Sequence, residues 1–157
     1  MLPLSQAAPI PLPGENPRWF YPGKGMERAE QNLAFSLVDQ FFEDSPVKPG
    51  KKGKKNDQNG VYLEISFISP ELGERCAPIL REIALRTGWR VRISESVNQA
   101  QLMVIAAGLC SSFGVLQEKI AYLPALRAVR IKNAPQTPVP DQMREKFLEQ
   151  TGLPLID

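Results

Sequence analysis

The chain has 157 residues, 43% of them hydrophobic, and a formal net charge of +2, which is enough material for one respectable core. It contains no histidine, which removes the commonest general base, the usual catalytic triads and most zinc, copper and iron sites. Its two cysteines indicate no disulfide framework and are too few for a four-ligand zinc site.

Residues 1–25 are rich in proline and glycine, with isolated aromatics at Trp19, Phe20 and Tyr21 and no periodicity, so they read as an extended arm. The aromatic cluster either packs on the domain or docks a partner. Met26, Ala29, Leu33, Leu37 and Phe41 then recur at helical spacing, with Val38 and Phe42 widening the stripe, so a helix from Met26 to Phe42, in the segment 26–44, is expected to pack on the domain.

Residues 45–60, SPVKPGKKGKKNDQNG, have the composition of a flexible linker and carry Lys48, Lys51, Lys52, Lys54 and Lys55. They hold five basic residues against one acidic, whereas residues 1–44 hold three against six and residues 61–157 hold eleven against ten. The positive charge is thus local, and the lysine run is either a solvated tether or a loop that neutralises phosphates.

An α+β domain is expected over residues 61–157: a small mixed sheet with three to four helices packed on it. Val61, Leu63, Ile65 and Phe67 alternate with polar residues as a half-buried strand. Leu72, Cys76, Ile79, Leu80 and Ile83 form an apolar helical stripe, with Ser69 and Pro70 as a start signal and Gly88 as the stop. Pro78 implies either a kink or a short turn before a second helix. Trp89, Val91 and Ile93 then alternate with Arg90 and Arg92 as a strand.

Beyond it, Ser96 or Asn98 can cap a helix running to about Phe113 with Gly114 as its stop, and residues 98–114 carry no charge at all. Residues 115–126 hold Glu118 and Lys119 in a run with helical spacing that Pro124 interrupts, so their type stays open. Val129 and Ile131 alternate with Arg130 and Lys132, another strand with a basic side. Pro135, Pro138 and Pro140 keep the next connection extended, and a last helix with Met143, Phe147 and Leu148 stops at Thr151–Gly152 before a short strand. The segments IALRTGWRV (83–91) and FLEQTGLPL (147–155) share this punctuation. Either the unit is duplicated, or two helices end alike because glycine is the commonest way to end one.

The helix ending at Thr87–Gly88 and running into Trp89–Ile93, together with the strand before it, resembles the second half of a KH domain, in particular the variety of bacterial transcription elongation factors. The resemblance covers residues 61–94. It implies a KH-like fold, and in that family a Gly-x-x-Gly loop clamps the nucleic-acid backbone. Here Gly73 stands alone before Glu74-Arg75-Cys76-Ala77, so the resemblance implies altered or lost binding at that loop.

No phosphate-binding glycine loop follows a predicted strand, and the paired carboxylates have the spacing of solvated helix surfaces. The expectation is therefore a non-enzymatic module without metal or cofactor that contacts single-stranded RNA or DNA. Arg90, Arg92, Arg130 and Lys132 would provide a basic sheet face, joined by Lys51, Lys52, Lys54 and Lys55, unless the domain's own Glu64 and Glu95 neutralise the strand cations. The alternative is a protein-interaction or self-association domain using the uncharged helix 98–114 and the aromatic arm. The chain opens without a basic and then apolar leader, and no apolar run approaches the roughly 20 residues of a spanning helix, so a cytoplasmic location with reduced thiols is expected.

Overall fold

Helices and strands alternate in the order β1 (Trp19–Phe20), α1 (Gln31–Phe42), β2 (Lys52–Asp57), β3 (Gly60–Ile65), α2 (Pro70–Glu74), α3 (Ala77–Thr87) and β4 (Val91–Ile93), and then α4 (Gln99–Phe113), β5 (Gln117–Leu123), β6 (Ala128–Asn133), α5 (Asp141–Thr151) and β7 (Leu155–Ile156). The computed structural model describes residues 16–133 and 138–157. The fold is α+β with two small mixed sheets, one in the order β1-β4-β3-β2 and the other β5-β6-β7. They belong to two compact units, Met1–Ser96 and Val97–Asp157.

In the first unit β2 and β3 form an antiparallel hairpin, and α2 and α3 carry the chain to β4, which runs parallel to β3. Strand alternation sends Leu63, Ile65, Val91 and Ile93 to one side of the sheet, where they are fully buried with Leu80, Ile83 and Ala84 of α3 and Ala34, Val38 and Phe42 of α1. The arm adds β1 antiparallel to β4 and places Phe20 in this core. Ser69 caps α2 by accepting from the Leu72 amide at 3.2 Å, and the helix breaks at Cys76, so that Pro78 falls in the first turn of α3, where its missing N–H removes no bond. Of the two sequence readings of Pro78, the one with a separate second helix holds.

The second unit repeats the order in smaller form. Helix α4 is followed by the antiparallel hairpin β5–β6, then α5, then β7 parallel to β6. Its interior is Leu102, Ala106, Leu109, Val129, Ile131, Met143, Phe147, Leu153 and Leu155. Asn98 caps α4 by accepting from the Gln101 amide at 3.1 Å. Both units end their crossover helix on the same device: Thr87 and Thr151 precede Gly88 and Gly152, which lie at φ 72° and 81° in the left-handed region. The topological order and the hydrogen bonds at both stops agree, which a shared preference for terminal glycine would not require.

Four expectations are corrected. Residues 45–60 are no flexible linker throughout: Lys52–Asp57 is a strand in full register with β3, because the Gln58–Asn59 turn and Gly60 at φ 110° fold it back onto an apolar partner strand, whatever its own composition prefers. The domain expected over residues 61–157 is divided after Ser96, and its first part shares a unit with α1 and β2. Helix α1 begins at Gln31 rather than Met26, since the backbone of Ala29 is held outside it by bonds to the Thr87 carbonyl at 2.7 Å and the Trp89 indole at 2.8 Å. Its buried stripe is Ala34–Val38–Phe42, with Leu33 exposed. Residues 117–123 of the ambiguous segment are strand β5. Residues 1–15 of the arm and Pro135 lie outside the described residues.

Candidate functional site

The side of the first sheet that faces away from α1 and α3 is set by register. Trp19 lies beside Arg92 and Arg92 beside Glu64, with Tyr62 two residues from Glu64 and Lys55 opposite Tyr62. The rings form a cluster: Trp19 stacks on Tyr21 at 6.2 Å and 16°, and meets Tyr62 edge-on at 4.9 Å. The Arg90 guanidinium lies 5.4 Å from the centres of both Trp19 and Tyr62, and that of Arg92 lies 5.6 Å from Trp19.

These arginines are already partnered. Arg90 grips Asp57 with both terminal nitrogens, at 2.7 and 3.1 Å, and donates to the Gly60 carbonyl at 2.9 Å. Its hydrogen bonds hold the Asp57 carboxyl below the usual carboxylate range, and Asp57 raises Arg90 in return. Arg92 stands between Glu64 at 3.8 Å and Glu95 at 3.9 Å, and its Nε is buried without a hydrogen-bond partner among the described residues. Arg18, just before β1, bonds Glu74 at 2.9 Å and Glu95. Three guanidinium groups thus face four carboxylates, and the centre of this surface carries no positive excess.

The lysines of β2 sit at the sheet's outer edge and split by alternation. Lys52 and Lys54 pair in register with Ile65 and Leu63, while Lys55 shares the side of Tyr62. Lys51, opposite Ser66, falls on the Lys55 side. Lys52 bonds Asp39 at 2.6 Å, whereas Lys51, Lys54 and Lys55 are exposed and make no ion pair among the described residues.

Arg130 and Lys132 belong to β6, in the other sheet, because Val129 and Ile131 point into the second unit's core. The expected single face of four cations does not exist: the sequence places Arg90 with Arg92, and Arg130 with Lys132, on separate sheets. Register adds a residue that sequence reading missed, since Lys119 stands opposite Lys132 and Ala121 opposite Arg130. Lys119 and Arg130 are exposed and make no ion pair among the described residues, and the Asp157 carboxylate is taken by Arg144 at 2.7 Å.

The junction of α2 and α3, where the KH resemblance implies a backbone-clamping loop, is filled by packing. A Cβ on Gly73 would lie 2.7 Å from the Phe67 ring and 2.9 Å from Ile93, so this glycine serves close approach. Both thiols are buried; burial pushes Cys76 up to about 11 and raises Cys110. Among the described residues, no three histidine, cysteine, aspartate or glutamate side chains gather as a metal site, and no helix is long and apolar enough to cross a membrane. No protein-family model, curated protein or solved structure matches the chain.

Proposed function

We propose that this protein is a non-enzymatic nucleic-acid-associated module that contacts phosphate backbone through its two basic hairpins, β2–β3 and β5–β6. The observation that carries the reading is the β5–β6 surface, where the exposed Lys119 and Arg130 share one side of the hairpin and make no ion pair among the described residues. Like charges on one side of a sheet repel one another, and a polyanion lying across Lys119 and Arg130 turns that repulsion into attraction.

The corresponding hairpin of the first unit carries Lys51, Lys54 and Lys55 without carboxylate partners among the described residues. Arg90 and Arg92, which sequence reading grouped with the binding cations, serve as buttresses for the sheet in this proposal. The strand–helix–helix–strand order of β3, α2, α3 and β4 supports a KH-like reading of the first unit. Gly73 and Glu74 leave no clamp at the helix junction, so the grip falls to the lysines. A cytoplasmic location goes with this reading.

The test is equilibrium binding of labelled single-stranded oligonucleotides across a salt series. Binding is expected to weaken steeply with salt, with the logarithmic slope falling by about 0.7 for each phosphate contact removed. Lys54→Glu with Lys55→Glu, and separately Arg130→Glu with Lys132→Glu, should each lower affinity and slope. Absence of binding at low salt, or a slope untouched by both reversals, overturns the proposal.

A further inference from the structure

We infer that the face of the first sheet turned away from α1 and α3 is a stacking platform for unpaired nucleobases, with Tyr21 and Trp19 as the rings, Tyr62, itself only 7% exposed, as the edge-on support of Trp19, and Lys51 and Lys55 holding phosphates of the same strand. The inference rests on the reading above and narrows its ligand to single strands. Charge alone cannot make this face attractive, because Arg18, Arg90 and Arg92 are offset by Asp57, Glu64, Glu74 and Glu95. What the centre offers is π surface held in place. The two guanidinium groups lie within 5.6 Å of the ring centres and fix the ring positions, and Tyr21 remains 59% exposed although it is stacked parallel to Trp19.

A nucleobase needs this kind of surface and no net charge, since every base has a π face. The phosphates it carries need cations along the path of the strand, and Lys51 and Lys55 supply them on the same side of the sheet, from the edge that borders Tyr62 and lies opposite β1. A duplex keeps its base faces inside the stack and is not served by such a platform.

The experiment uses the full chain and compares three probes: a single-stranded oligonucleotide, made once as RNA and once as DNA, the matched duplex, and inorganic polyphosphate, which has charge without bases. Trp19 fluorescence should be quenched by the single strands and not by polyphosphate. Trp89 is 5% exposed with its indole N–H bonded to Ala29, so a change on binding reports Trp19. Tyr21→Ala should weaken single-strand binding roughly 5- to 150-fold and leave polyphosphate binding unchanged, while Tyr21→Phe should retain the affinity. Relative affinity of the RNA and DNA strands identifies which the face accepts. If Tyr21→Ala has no effect and all three probes bind alike, the stacking inference falls while phosphate binding stands. If no probe binds, both fall.

Discussion

Thr87 and Thr151 make the same hydrogen bonds in two different units. The Thr87 hydroxyl donates to the Ile83 carbonyl at 2.7 Å and accepts from the Trp89 amide at 3.2 Å. That of Thr151 donates to the Phe147 carbonyl at 2.8 Å and accepts from the Leu153 amide at 3.1 Å. Each therefore ties the last turn of a crossover helix to the first residue beyond its glycine. Replacing either by valine keeps the shape and leaves a buried amide without its acceptor, so Thr87→Val and Thr151→Val should each cost about 1–3 kcal/mol in denaturant unfolding. Loss of under about 0.5 kcal/mol would show the bonds to be idle.

Gly88 and Gly114 share the left-handed conformation, at φ 72° and 67°, but not the same surroundings. A Cβ at Gly88 would lie 2.1 Å from the Glu27 carbonyl oxygen, whereas one at Gly114 meets nothing within 4 Å. Gly114→Ala should therefore cost only the intrinsic strain of roughly 1–2 kcal/mol. Gly88→Ala adds displacement of the segment before α1 and should be clearly worse, as thermal unfolding of the two variants would show.

The Asp57–Arg90 pair gives a pH dependence of defined sign. The Asp57 carboxyl is held low by its hydrogen bonds to Arg90, so its folded-state value lies below that of the unfolded chain, ordinarily ~3.9. The stabilisation is complete at neutral pH and is lost as pH falls through the depressed value. An NMR titration should find Asp57 below the normal range and Arg90→Lys should move it upward, because an ammonium cannot reproduce the two-pronged grip. An unshifted Asp57 in the native chain would contradict the geometry.

Burial that raises Cys76 to about 11 leaves almost no thiolate at neutral pH. Iodoacetamide at neutral pH should leave Cys76 and Cys110 unmodified in the native chain over a period that completes the reaction in denaturant. Rapid native labelling of Cys76, read by mass spectrometry, would show that its helix face opens.

Much of the fold was legible in the sequence because its signals are local. Ser69 before Pro70, Asn98 before α4, and the glycines at 88, 114 and 152 mark element ends with single residues, and the alternation at Val61–Phe67 and Val129–Ile131 marks strands. Strand β2 was not legible, since its lysines say nothing about an apolar partner strand that the chain reaches only after turning back through Asn59 and Gly60. The same blindness affected the candidate site. Alternation correctly put Arg90 and Arg92 on one side of a strand, and Glu64 and Glu95 could be named as neutralising partners, as they are for Arg92, but that Asp57 would take Arg90 depends on hairpin register. Lys119 was missed because the helical spacing of residues 115–126, interrupted by Pro124, hid a strand, and only pairing with β6 places it opposite Lys132.

Strand β2 is the outermost of its sheet, and among the described residues one row of its amides and carbonyls has no neighbouring strand. Such a border is a template on which another copy of the chain can add, and closely spaced lysines are a common natural defence against that polymerisation. Lys51, Lys52, Lys54 and Lys55 thus have a second duty that operates with or without a ligand. Acetylating them, or trimming them to alanine, would remove the proposed phosphate contacts of Lys51, Lys54 and Lys55 and at the same time invite fibrous self-assembly, visible as light scattering. Glutamate at those positions abolishes the first property while preserving mutual repulsion between chains.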